Sequence, residues 1–286
     1  MHTIKKILFT LFCLIFLKDQ SNAQYVRNTE LVIGLGTAYY MGDLNPYMPF
    51  KSARQAATFF ARRNRNYRWA SRYSFAYGML VGNDAKSSSA DQRNRNLSFR
   101  SQLMEGSFML EFNFLPYRVD EDKYPFSPYA FVGMGAFYFN PKGELNGEWY
   151  ALQPLATEGQ GLPNKTEYTN YDKKKYNRVA MCIPFGMGLK WALNEKFTLA
   201  LETSLRKTNT DYLDDVSNTY VNPQLLKLYS GSVAVALADK STQPRDGLSN
   251  TGRLRGNPNT KDWYSFTFLS LGFRLPTKGI KCPSYN

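Results

Sequence analysis

Histidine is all but missing from this chain. The only one is His2, and no other follows in 286 residues. Beyond the first two residues that removes Ser-His and Cys-His nucleophilic arrangements and most imidazole-based metal sites, so the expectation is a protein that is not an enzyme and needs no cofactor. Cysteine is scarce too: Cys13, Cys182 and Cys282 are the whole inventory, too few for a disulfide-stapled scaffold. Long apolar runs are absent beyond the N-terminus, where charges and glycines interrupt every stretch before the ~20 residues that a spanning helix needs.

The N-terminus has the one run there is. Lys5 and Lys6 precede "ILFTLFCLIFL", and small residues at Ser21 and Ala23 suit cleavage before Gln24. This is the layout of a secretory signal peptide over residues 1–23. Cys13 lies inside the run without the small residues of a lipoprotein signal before it. The whole chain has net charge +13, and an exported protein this basic has no use for nucleic acid; anionic lipid head groups, lipopolysaccharide and acidic protein surfaces are the partners its charge suits.

Aromatics, by contrast, are abundant, at 15% of the chain, and they fall in alternating segments. In "MCIPFGMGLKWALNEKFTLALETSLR", Met181, Ile183, Phe185, Met187, Leu189 and Trp191 share one face. After a turn at Asn194 and Glu195, Phe197, Leu199, Leu201 and Leu205 share one face, opposite Glu202 and Arg206. Period two means strands that see two environments. Eight such segments are expected: Glu30–Tyr40, Ala56–Tyr67, Trp69–Val81, Leu103–Leu115, Pro128–Asn140, the two arms of the quoted hairpin, and Asp262–Leu275. The second could equally form a short helix, and the fifth has no clear phase. An exported chain with these features is expected to be all-β, an eight-stranded antiparallel transmembrane barrel over residues 24–275 with long extracellular loops and a periplasmic tail over 276–286. A secreted β-sandwich is the competing soluble reading.

Connection lengths orient the barrel. Short turns near residues 64–68, 116–127 and 194–196 belong in the periplasm with both termini, and the long connections at 41–54, 82–100, 141–178 and 207–261 belong outside. On the polar faces, Glu30, Glu105, Glu111 and Glu202 are expected to pair across a narrow lumen with Arg72, Lys190, Arg206 and Arg274.

Several local sequences carry a resemblance. "YYMGDLNP", "RNLSF", "NGEWYALQPLATEGQG" and "RGNPNTKDWYSFTFLSLGFR" together resemble the PorG family, small outer-membrane barrels of the Bacteroidota associated with type IX protein secretion and, in gliding species, with gliding motility. The resemblance covers nearly the whole mature chain. It implies a non-enzymatic outer-membrane component to which the periplasmic ring of that machinery, a lipoprotein and a soluble subunit, attaches. The alternative is a small outer-membrane barrel that binds or modifies lipid, or a pore.

Some features stand outside the barrel wall. Cys282, beyond the last strand, is a candidate for a disulfide with a periplasmic partner, such as a PorG-like role would use for tethering, or else an incidental reduced thiol. Arg62, Arg63, Arg65 and Arg68 at the first inner turn offer bidentate contacts to carboxylates of a ring protein, or to inner-leaflet phosphates. Lys173–Lys175 suit lipopolysaccharide phosphates or form a solvated run. Asp211, Asp214 and Asp215 could bind Ca²⁺ through loop oxygens, against the default of an acidic surface loop. The "GLGTAYYMG" glycines lack the following helix and lysine of a phosphate loop. Residues Asn222–Ala238 are too apolar for a free loop, so a helix or hairpin packed over the mouth, or against a second protein, is expected.

Overall fold

The computed structural model describes residues 28–45, 52–118, 124–162, 174–241 and 249–276. Nine strands run in chain order: β1 Asn28–Met41, β2 Arg54–Asn64, β3 Trp69–Asn83, β4 Ser98–Asn113, β5 Phe126–Leu145, β6 Glu148–Ala151, β7 Val179–Ala192, β8 Phe197–Thr208 and β9 Trp263–Arg274. Each barrel strand pairs antiparallel with its neighbour. β1 pairs with β9, and β4 with β5, so the sheet closes on itself with eight strands. The segment that could have been a helix is a strand, β2, held by eleven register pairs to β1. The one strand beyond the expected eight is β6, which pairs only with the protruding end of β5 and lies outside the closed wall.

Among the described residues three α-helices decorate the connections, α1 Ala90–Arg95, α2 Leu152–Leu155 and α3 Pro223–Ala238, with a 3₁₀ turn at Asp84–Lys86. No helix among the described residues is long and apolar enough to cross a membrane.

The alternation seen in the sequence becomes inside and outside. On β8 every second residue is exposed, Phe197, Leu199, Leu201 and Thr203, while Thr198, Ala200, Glu202 and Ser204 are buried. The exterior is therefore a continuous apolar belt, with Ile33, Leu35, Phe75, Val132, Met187 and Leu269 among its exposed members. So large an apolar surface has no account in water. A closed wall of eight strands, polar within and apolar without, is the build of an outer-membrane β-barrel. Trp69, Phe112, Phe114, Phe126, Trp191, Phe197 and Phe273 ring its short-turn end, several of them in edge-on pairs such as Trp69–Phe112 at 5.0 Å. They form the aromatic girdle of one membrane interface.

The lumen is filled. Towards the long loops it holds an apolar core of Ala38, Leu80, Phe99, Leu103, Phe137, Phe139, Phe266 and Phe268. The wall is tight enough that a side chain on Gly36 would strike the Thr267 carbonyl of β9. Residues 1–23, expected to be a signal peptide, and residues 277–286 with Cys282 lie outside the described residues.

Candidate functional site

The lower lumen is an ion-pair lattice. Arg62 reaches Glu30 at 3.3 Å and Glu111 at 3.0 Å. Arg72 reaches Glu202 at 2.7 Å and Glu111 at 3.3 Å. Lys190 adds a contact of 3.4 Å to Glu111, and Tyr129 donates its hydroxyl to Glu202 at 2.7 Å. Higher up, Arg206 and the Tyr264 hydroxyl both meet Glu105 Oε2, at 3.0 and 2.9 Å. Aromatic faces cover the cations, with Arg72 lying 4.2 Å over Phe131. Tyr117, from the turn between β4 and β5, closes the bottom: it is buried, its hydroxyl is 2.9 Å from Thr198 Oγ1, and its ring lies under Lys190. Four carboxylates meet four cations, which is what makes so many charges tolerable away from water.

The membership differs from the sequence expectation at two residues. Arg62, expected at a periplasmic docking surface, is fully buried in the lattice. Strand β2 continues through Asn64, so period two turns Arg62 inward and Arg63 outward. Arg274 shares the lumen phase and stands opposite Glu30 in register, but as the last residue of β9 it is half-exposed at the mouth and not sealed inside. Glu30, Arg72, Glu105, Glu111, Lys190, Glu202 and Arg206 are all buried in the lumen, where alternation put them. Cys182 is also inside, 3.5 Å from the Tyr264 hydroxyl.

Over the other mouth the long loops build a roof. Arg255 is its hub, donating to Glu158 at 3.2 Å and to the Ala238 carbonyl at 3.0 Å, with Asp215 at 3.8 Å. Asp215 also accepts from Tyr176 at 2.7 Å and from Thr157. Arg95 grips both Asp84 oxygens, at 2.7 and 2.8 Å, and donates to the carbonyls of Asp43 and Arg255. All four outer connections are thereby tied together.

This corrects the view of Asp211, Asp214 and Asp215 as an acidic surface loop, because all three are buried. Burial pushes the Asp211 and Asp215 carboxyls up to about 6. Burial also raises the carboxyls of Asp214 and Asp262 well above the usual carboxylate range. As a calcium site the trio is dispersed. Asp211 accepts from Ser217, Asp214 faces Tyr40 and Val216, and Asp215 serves Arg255. Among the described residues no group of three metal-ligating side chains converges.

Asn222–Ala238 is helical. α3 is broken at Gly231, whose φ of 84° and ψ of 176° suit glycine alone. Its Leu226, Ala234 and Ala238 pack with Leu162 and Val221 over the barrel, and Leu237 joins the lumen core beside Leu152. Lys174 and Lys175 are exposed at the roof's edge, where Lys175 donates to the Pro154 carbonyl; Lys173 lies outside the described residues.

The short-turn rim is basic. Arg63 and Arg65 are exposed, and Arg65 donates to Ser71 at 3.3 Å. Arg68 is half-buried, with its guanidinium on the Phe114 carbonyl at 2.9 Å. Asn66 takes the backbone N–H groups of Arg68 and Trp69 and so fixes the turn. Three of the four arginines expected at this surface therefore stand there on a rigid tip.

With this geometry in view, comparisons place the chain. A family model described as Domain of unknown function (DUF6089) matches residues 5–236. No curated protein matches the chain. Among solved structures, the attachment invasion locus protein Ail of Yersinia pestis, in complex with the heparin analogue sucrose octasulfate, is 11% identical, with 88% of this chain and 100% of that one covered at a TM-score of 0.41. Neisserial surface protein A is 7% identical over 88% and 100%, with a TM-score of 0.41. The outer membrane protein OprG from Pseudomonas aeruginosa is 8% identical over 88% and 98%, with a TM-score of 0.36. The eight-stranded barrel itself rests on this chain's own strand pairing.

Proposed function

This chain belongs to the family described as Domain of unknown function (DUF6089), and we propose that it serves as a non-enzymatic outer-membrane anchor for a periplasmic assembly, the ring of type IX secretion. The resemblance to the PorG family supplies the machinery. The observation that carries the anchoring role is the filled lumen: among the described residues, ion pairs, the Tyr117 plug and an apolar core occupy it from one end to the other. A filled barrel contributes through its surfaces, and the rim with Arg63, Arg65 and Arg68 is the surface we assign to periplasmic carboxylates. In this reading both termini lie in the periplasm, and Cys282 is the candidate for a disulfide with the same partner.

Affinity isolation of the barrel from native outer membranes tests it. The ring lipoprotein and soluble subunit are expected to copurify with the wild type. Arg63→Glu, Arg65→Glu and Arg68→Glu together should release them while leaving the barrel folded, and Cys282→Ser should abolish any reductant-sensitive band. Copurification that survives the triple reversal would remove the rim from the proposal, and absence of ring proteins from the wild-type isolate would end it.

A further inference from the structure

In the roof, a cavity of about 560 Å³ opens between α1 and a short ribbon in the connection from β8 to β9. The ribbon is built by backbone pairing. Thr219 bridges Leu254, Tyr220 donates its N–H to the Arg253 carbonyl at 2.9 Å, and Gly252 donates back to the Tyr220 carbonyl at 2.9 Å. Arg95 joins α1 to it by donating to the Arg255 carbonyl at 2.6 Å. The walls are therefore held in place, and the volume suits a small organic ligand.

Two side chains in these walls have unmet hydrogen-bonding capacity. Tyr220 is only 7% exposed and Asn250 only 8%, so a polar atom on either needs a partner. The Tyr220 hydroxyl has none among the described residues. Burial pushes it up to about 12, so it keeps its proton and can donate as well as accept. Asn250 donates both amide hydrogens, to Asp239 at 2.9 Å and to Ser241 at 2.8 Å. The Asp239 carboxylate fixes that orientation of the amide. It leaves Asn250 Oδ1 as an acceptor with no donor among the described residues. Neither atom is sealed off, and both residues line the cavity.

We propose that this cavity binds a neutral sugar residue of a surface glycan, held by the Tyr220 hydroxyl and the Asn250 amide oxygen. The charges around it argue against an ionic ligand. Arg95 is paired with Asp84 and Arg255 with Glu158, while Arg253 and Asp91 bring one charge of each sign to the same walls. What remains is one group that donates and accepts and one that accepts. Sugar hydroxyls, each a donor and an acceptor, match both. Leu254, exposed at the opening, offers an apolar edge to the C–H face of the ring. The cavity belongs to the long-loop end, which faces outward in the orientation proposed above, and its chemistry does not depend on the secretion role.

Saturation-transfer NMR on the full barrel in lipid nanodiscs is the test. The probes are the methyl glycosides of glucose, galactose, mannose and N-acetylglucosamine, with inorganic phosphate, followed by its phosphorus line width, as the anionic one. At least one glycoside is expected to receive saturation, and phosphate is expected to stay free. Tyr220→Phe removes only a hydroxyl that bonds to no described residue, so the barrel should fold, and unchanged heat-modifiable migration checks that. Its affinity for the same glycoside should fall about three- to tenfold, the loss of one hydrogen bond. Leu254→Ser, at an exposed position, should also weaken binding, whereas Leu228→Ala, exposed on α3 and outside the cavity, should not. The proposal is overturned if no glycoside binds, if Tyr220→Phe binds as well as the wild type, or if phosphate binds instead.

Discussion

Arg62 and Arg63 are neighbours of the same type with opposite circumstances. Arg62 is sealed between Glu30 and Glu111, whereas Arg63 is exposed at the rim. Removing one partner of a buried ion pair strands the other charge, at a cost of about 3–5 kcal/mol. Arg62→Ala is therefore expected to destabilise the barrel by that amount, while Arg63→Ala, at a solvated site, should stay within about 0.5 kcal/mol. Urea titration of the barrel refolded in lipid vesicles measures both. Equal effects would mean that the lattice does not hold the lower lumen. Alternation was legible in the sequence for Glu30, Arg72, Glu105, Glu111, Lys190, Glu202 and Arg206, because the opposite phase of each one's strand is mainly apolar. It failed at Arg62 because consecutive arginines erase the contrast between faces.

The same erasure operates on whole elements. In β2, Phe59 faces lipid and Phe60 faces the lumen, so the strand loses the polar–apolar alternation that defines its kind. In β5 the lumen face is itself largely apolar: Phe131, Phe137 and Phe139 point in while Val132, Met134 and Tyr138 point out, which left its phase unclear. The roof was hidden for another reason. Its contacts join residues far apart in the chain, as Arg255 joins Glu158, and no local pattern announces them.

Roof chemistry makes a pH prediction. The Tyr40 hydroxyl is 2.6 Å from Asp214 Oδ2 and 2.8 Å from Asp262 Oδ1. One hydroxyl has one proton to donate, so one of the two carboxyls must carry a proton of its own. Asp43 from the first loop and Asp211 add negative charge nearby, while Arg95 is held by Asp84. Both aspartates sit above their unfolded value of about 4. The folded roof therefore binds more protons than the unfolded chain, and its stability falls as pH rises from about 4 through the raised values. Hydrogen exchange over the loop between β8 and β9 should be slower at about pH 5 than at about pH 9, after correction for intrinsic rates, and Asp262→Asn should flatten the difference by fixing the neutral form. Equal protection at both values would refute the shared proton.

At the scale of the molecule, the barrel inverts the usual arrangement of a soluble protein, with charges at its centre and leucines on its surface. The closed sheet excludes a sandwich, and a barrel in lipid differs from a barrel in water in what the exposed face of β8 meets. Leu201 sits in the middle of that face. If it meets hydrocarbon, an arginine there must be brought into lipid, at a cost of about 2–4 kcal/mol near the midplane and almost nothing near an interface. If it met water, the same change would stay within about 0.5 kcal/mol. Leu201→Arg is therefore expected to lose about 2–4 kcal/mol in vesicle refolding titrations. An arginine at Phe197, in the girdle at the short-turn end, should cost far less although the two residues share a strand and a face. A flat profile along β8 would place that face in water. A graded one locates the bilayer on the wall and ties the girdle and the basic rim to definite depths within it.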